Sequence, residues 1–187
     1  VTTSLATTNR SISATNDITV ADALTWTTPQ TLTLDAGHDV LVKAAMTAST
    51  AGSGIVLIAG NDVNITAPAV TASGAGSIIK MTAVNDIITT STAVTASSLG
   101  TKIDMSAGHN VSVGVVTADA GGSVNLSASN DVIVAGKIGA DGGPVTLIAD
   151  KDGTGPGAAS GTVTFVGTGS VSAPNTKIRF NPNGYAN

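Results

Sequence analysis

Apolar and polar residues alternate along this chain in short runs, and the runs recur in a fixed order. One run reads Leu32-Thr33-Leu34-Asp35-Ala36, with counterparts in Ile79-Lys80-Met81-Thr82-Ala83, Ile103-Asp104-Met105-Ser106-Ala107 and Val124-Asn125-Leu126-Ser127-Ala128. A second kind follows, as in Val63-Asn64-Ile65 and Val111-Ser112-Val113, and a third completes the set: Met46-Thr47-Ala48-Ser49, Val70-Thr71-Ala72-Ser73, Val94-Thr95-Ala96-Ser97 and Val116-Thr117-Ala118-Asp119. Alternation with a period of two predicts strands with one buried face, and β-branched Val, Ile and Thr suit that setting.

Between the first and second runs stands an Asn-Asp-like pair followed by an apolar residue. It occurs as Asn16-Asp17-Ile18, His38-Asp39-Val40, Asn61-Asp62-Val63, Asn85-Asp86-Ile87, His109-Asn110-Val111 and Asn130-Asp131-Val132, with Lys151-Asp152 as a degenerate last copy. The second members lie at 17, 39, 62, 86, 110, 131 and 152, at intervals of 22, 23, 24, 24, 21 and 21. A period of this size marks a solenoid in which each repeat is one coil stacked on the last. The prediction is therefore an all-β chain: a right-handed parallel β-helix with three short strands per coil and about 22 residues per coil. One domain over 1–187 is expected, with 1–11 a partial first coil and 177–187 the last strand and exit turn.

Aligned on the pair, the coils give three interior columns. One is Leu32, Ile55, Ile79, Ile103, Val124, Val145, Val163 and Ile178; its neighbour is Leu34, Leu57, Met81, Met105, Leu126, Leu147, Phe165 and Phe180. A narrow third column is Ala36, Ala59, Ala83, Ala107, Ala128, Ala149 and Gly167. Trp26 falls in the inward register of the third strand, where it would fill or cap the first coil. Glycine-rich stretches such as Ala51-Gly52-Ser53-Gly54 and Gly142-Gly143-Pro144 read as tight corners. A phosphate loop would need a helix start behind it, and no segment has a sustained helical rhythm.

Composition narrows the function classes. The 187 residues include no cysteine and no glutamate, and only 11% are charged. A net charge of -4 argues against a nucleic-acid partner, which calls for a basic patch. No apolar run approaches the roughly 20 residues of a bilayer-spanning helix, so no membrane insertion is expected. Val1 opens inside repeat-like sequence, and we expect a segment of a longer protein whose neighbouring coils or caps cover at least one end.

The corners Ala59-Gly60-Asn61-Asp62-Val63-Asn64-Ile65 and Ala107-Gly108-His109-Asn110-Val111-Ser112-Val113 resemble the repeats of filamentous haemagglutinin-like exoproteins of Gram-negative bacteria. Those are surface adhesins or toxin-delivery stalks exported by two-partner secretion. The resemblance implies a right-handed β-helix, a secreted or cell-surface location, an outer-membrane transporter as partner during export, and a glycan or protein of host surface or matrix as target. A cysteine-free chain fits passage through a pore in an unfolded state. Asn181-Pro182-Asn183-Gly184 matches a tetrapeptide of that family's secretion domain, but the companion Asn-Pro-Asn-Leu is missing here, so it reads as a turn after Lys177-Ile178-Arg179-Phe180.

Parallel β-helices also include polysaccharide lyases and hydrolases, which need clustered carboxylates. The corner column Asp17, Asp39, Asp62, Asp86 and Asp131 offers a candidate metal ladder, set against the ordinary preference of Asp and Asn for turns, where their side chains bond nearby backbone. His38 and His109 lie three coils apart, too distant to share a metal, and read as exposed corner residues. No catalytic residue, metal or cofactor is assigned. The candidate ligand-contact face is the outward side of the third strand: Thr47, Thr71, Thr95 and Thr117 in one column, Ser49, Ser73, Ser97 and Asp119 in the next. Such two-column ladders resemble ice-binding solenoids, although the pattern breaks at Gly139 and Asp141. Outward apolar residues Leu41, Val56, Ile58, Ile88, Ile133, Ile148 and Val166 complete the surface reading. The expected function is a stalk or display segment of an adhesin rather than an enzyme.

Overall fold

A strand buried on one face needs a partner on each edge and a cover for its apolar side, and stacked coils supply both. A computed structural model of the chain describes residues 4–151 and 161–180. Its strands form a parallel β-solenoid whose only helical element among the described residues is a 3₁₀ turn, Ser4–Ala6. The first face is an eight-stranded parallel sheet: Arg10–Ala14, Thr31–Ala36, Gly54–Ala59, Ile78–Ala83, Lys102–Ala107, Ser123–Ala128, Pro144–Ile148 and Asn175–Arg179. The second face begins with Ile18–Val20, Val40–Val42 and Val63–Ile65, and the third with Leu24–Trp26, Met46–Ala48 and Ala69–Ala72.

Midway along the rod the second and third faces merge. Ile87–Ala96 and Val111–Ala118 each run round the second corner as one strand, and their pairing shifts register between Thr89 and Ala93. Three separate strands per coil therefore do not hold in these two coils. The linking residues Thr90-Ser91-Thr92 stay compatible with a strand, whereas Pro68 at the same corner one coil earlier has no N–H to donate.

The interior columns stack as the repeat requires. Leu32, Ile55, Ile79, Ile103, Val124 and Val145 are paired in register, as are Leu34, Leu57, Met81, Met105, Leu126 and Leu147. All twelve are at most 2% exposed, and burial stabilises each by about 1.5–3 kcal/mol. The alanine column is buried as well, and where a glycine follows it the space is tight: a Cβ on Gly60 would lie 2.2 Å from the carbonyl oxygen of Gly37. Outward positions pair too, as where Asn125 Nδ2 donates to Asp104 Oδ1 at 2.8 Å.

The first coil is filled as expected. Trp26 is 3% exposed, sits in register with Ala48, and donates its indole N–H to the Gln30 carbonyl at 3.0 Å. Leu5, from the 3₁₀ turn, is fully buried in the same cluster, a cover that the repeat pattern did not point to.

The last coil departs from the expected columns. Val163 and Phe165 pair with Val132 and Val134 on the second face, so they do not continue the first-face columns. Ile178 pairs with Leu147, one column over from its expected place beside Val145, and Gly167 lies in the turn before Ser170–Ser172 with φ of +58°. Phe180 follows two residues after Ile178, at the level of Ala149 rather than Leu147. The cause is an insertion. Leu147 and Ile178 are 31 residues apart, where earlier members of that column are separated by 21 to 24. Thr162, not Asp152, then occupies the second place of the corner pair. Asp152 and the turn at 181–184 lie outside the described residues.

Polar groups that face inward are mostly satisfied. Ser53 and Ser77 stack at the third corner with Oγ atoms 3.1 Å apart, and Thr101 above them donates to the Ala96 carbonyl at 3.0 Å. Thr89 is different: it is fully buried opposite Val113, and its Oγ1 has no hydrogen-bond partner among the described residues. An unsatisfied buried hydroxyl costs about 1–3 kcal/mol. Thr89→Val keeps the shape and removes that cost, so urea unfolding should give a stability gain of about 1–3 kcal/mol. A midpoint at or below that of the parent would contradict the inward, unpaired placement.

Candidate functional site

The corner pair begins where the alanine column ends and delivers the chain into the second face. Its second member turns one carboxylate or amide oxygen toward the next coil, and that oxygen accepts two bonds. Asp39 Oδ1 takes the Asp62 N–H at 3.0 Å and Asn61 Nδ2 at 2.8 Å. Asp62 Oδ1 takes the Asp86 N–H and Asn85 Nδ2, both at 2.9 Å. Asn110 Oδ1 does the same for the Asp131 N–H at 3.1 Å and Asn130 Nδ2 at 2.9 Å. The ladder ends at Asp131, whose Oδ1 accepts the Thr162 N–H at 2.8 Å.

These bonds join coils. The preference of Asp and Asn for bonding nearby backbone holds whether that backbone belongs to the same turn or to the adjacent coil, and the spacing of the repeat alone does not distinguish the two arrangements. Because the acceptor is an oxygen in either residue, Asn110 can replace aspartate without altering the pattern.

The histidines occupy the donor place of the pair. His38 Nδ1 donates to Asp17 Oδ1 at 3.0 Å, and the Asp39 N–H reaches the same oxygen at 3.1 Å. His109 Nδ1 lies 2.9 Å from Asp86 Oδ1, which also accepts the Asn110 N–H at 2.8 Å. Both rings are more than half exposed, at 59% and 53%. They are exposed corner residues, as expected, and also inter-coil donors, which their residue type alone did not reveal.

Around His38 the charges converge. Its Nδ1 is also 3.2 Å from Asp39 Oδ2. The hydrogen bond to Asp17 and then the charge of Asp39 hold the imidazole above its ordinary value of 6.5. Asp17 is held below 3.8, chiefly by the Asp39 N–H and next by His38. Ligand atoms of Asp17, His38 and Asp39 lie within 4.8 Å of one another, so these are the side chains that could meet a divalent ion, provided Nδ1 gives up its proton. At the second histidine Asn110 stands where Asp39 stands here, so a second carboxylate is missing.

The outward side of the third face is regular. Thr25, Thr47, Thr71, Thr95 and Thr117 are paired in one outward column. Ser49, Ser73, Ser97 and Asp119 follow beside it, each donating its N–H to the coil before. Among the outward apolar residues, Leu41, Val56, Ile58, Ile88, Ile133 and Ile148 are half-buried by their neighbours along the rod, while Val166 is exposed. No protein-family model matches the chain, and comparisons with curated proteins and with solved structures give no match either.

Two outcomes test the corner. Asp62→Asn keeps the acceptor and should leave stability nearly unchanged, whereas Asp62→Ala strands two donors and should cost about 1–3 kcal/mol in urea unfolding. Equal losses would mean that charge, and not the acceptor geometry, holds the coils. His38 should titrate above 6.5 by NMR, and Asp17→Asn should move its midpoint down. The stabilising effect of protonated His38 is complete below 6.5 and disappears as pH rises through the raised value; that of ionised Asp17 is present above 3.8 and disappears as pH falls through the lowered one. An unshifted His38 in both proteins would remove the bond.

Proposed function

We propose that the chain is a structural stalk or display segment of a secreted or surface-anchored bacterial adhesin, serving attachment to host cells, surfaces or biofilm matrix. The observation that carries this reading is the continuous register of the first face, eight strands paired one on the next. At a strand separation of about 4.8 Å those strands span roughly 35 Å. The corner ladder ties successive coils at a second line along the same axis.

The mechanism is geometric. A pull along the axis loads the hydrogen bonds of all three faces and the corner together at each interface, so no single bond carries the force. Each finished coil also presents a complete edge on which the next can form, which suits a chain that folds as it leaves a pore. The likeness of the corners to filamentous haemagglutinin-like repeats supports export by two-partner secretion, with the outer-membrane transporter as the partner in that step. The corner aspartates stand one per coil and are engaged in bonds between coils, whereas glycoside hydrolysis needs two carboxylates free to act across one bond.

A receptor-binding module mounted on this segment at a bacterial surface should capture a target through a capsule-thick layer better than the same module fused directly to the anchor. Equal capture would remove the spacer role. The isolated segment should release no sugar from pectin, alginate or glucans; release abolished by changing Asp62 or Asp86 would put a polysaccharide-active enzyme in its place.

A further inference from the structure

The third face has one interruption that packing does not demand. The outward threonine column passes from Thr117 to Gly139 and then to Ser172, all in register. Among the described glycines, seven have positive φ, and every other one except Gly139 would drive a Cβ to within 3.0 Å of another atom. Gly139 has no positive φ, and its Cβ would meet only Thr117 Cγ2, at 3.9 Å. Glycine inside a strand is unfavourable because it has the most backbone freedom to lose. Its effect here is to open a notch in an otherwise continuous ridge.

The notch has a volume of about 530 Å³, and its rim carries Thr117, Asp119, Lys137, Asp141 and Ser172. That size falls within the roughly 300–1,000 Å³ of small-molecule sites. Asp119 and Asp141 occupy the same place on consecutive coils, since the Asp141 N–H bonds to Ala118 as the Asp119 N–H bonds to Ala96. Their backbones are thus about one strand separation apart, near 4.8 Å. Among the described residues, the side chains of Asp119, Lys137 and Asp141 make no hydrogen bond or ion pair with the protein. This is unlike the corner aspartates, which are held by the next coil.

We propose that the notch binds a single neutral sugar residue. Two free carboxylates on neighbouring coils accept bonds from hydroxyls of one ring, and Lys137, on the far side of Gly139 along the strand, reaches across the notch to donate to another hydroxyl or to the ring oxygen. Thr117 and Ser172 both donate and accept, and Ala173 with Pro174 offers an apolar wall to the C–H face of the ring. An acidic sugar meets two negative groups against one positive group and is disfavoured. A calcium ion needs six to eight oxygens and meets the Lys137 ammonium on the same rim, so it fits less well. The rim has no aromatic platform, which places the affinity in the millimolar class and makes repeated engagement along a surface the useful mode. The site deepens the display reading by naming what the rod would hold, yet a rod that binds nothing here could still be a spacer.

The test is titration of the 187-residue chain with methyl α-mannoside, methyl β-galactoside, N-acetylglucosamine, glucuronate and calcium chloride, followed by amide NMR. At least one neutral sugar should give saturable shifts confined to residues around Gly139, and glucuronate should give weaker ones. Gly139→Thr continues the threonine column; it should abolish the shifts while the melting temperature stays level or rises. Asp141→Asn, which has no protein partner to lose, should weaken binding several-fold. Absence of saturable shifts with every neutral sugar would overturn the proposal, as would shifts spread evenly over Thr47 and Thr71, retention of binding in Gly139→Thr, or a response to calcium chloride alone.

Discussion

In-register pairing of each coil with the next is the constraint from which the other features follow. Backbone N–H and C=O groups are committed along the rod axis, so the neighbour of any residue is its own counterpart about 4.8 Å away. Like must then tolerate like, which is why leucine, isoleucine and methionine form columns and why alanine precedes every first corner. The corner ladder makes the same demand at side-chain level. From the alanine to the first residue of the second face is four positions at Ala14 to Ile18, Ala36 to Val40, Ala59 to Val63, Ala83 to Ile87, Ala107 to Val111 and Ala128 to Val132. Variation in coil length is absorbed elsewhere: the stretch from Thr89 to Val94 shortens to Val113 to Val116 one coil later.

This division explains what was legible in the sequence. The strands, their inward faces, the buried Trp26 and the outward threonine column all follow from a period of two inside a repeat of nearly fixed length. The last coil was misread because the same extrapolation placed Val163 and Phe165 on the first face. A first corner that grows from four positions to fourteen, from Ala149 to Val163, moves every later residue to a different face. The merged strands were hidden for another reason: whether Thr90-Ser91-Thr92 bends or stays extended depends on the coils on either side of it.

Bond direction was the least accessible feature. An Asx side chain at a turn has acceptors and donors within reach in its own loop and in the adjacent coil, and sequence spacing is identical in the two cases. Only the structure shows that Asp39, Asp62 and Asn110 reach forward to the next pair. One sequence signal was available in retrospect: the free exchange of Asn and His in the first place, and of Asp and Asn in the second, matches a donor facing an acceptor. Charge is not required at either place, so the ladder survives where Asn110 removes it.

A repeat scaffold also changes where recognition chemistry should be sought. A residue that repeats along a column is bound to its counterparts, and its type reports what stacking tolerates. Chemistry that can be offered to a ligand collects at departures from the repeat, where a side chain loses its counterpart. His38 lies between two carboxylates because Asp39 is retained there, while at His109 the corresponding residue is Asn110. Gly139 interrupts the threonine column beside two aspartates that no coil engages. Residues that tie one coil to the next and residues at such departures overlap at His38, whose Nδ1 bonds Asp17 across coils, and are separate at Gly139, where Asp119 and Asp141 take no part in the corner ladder.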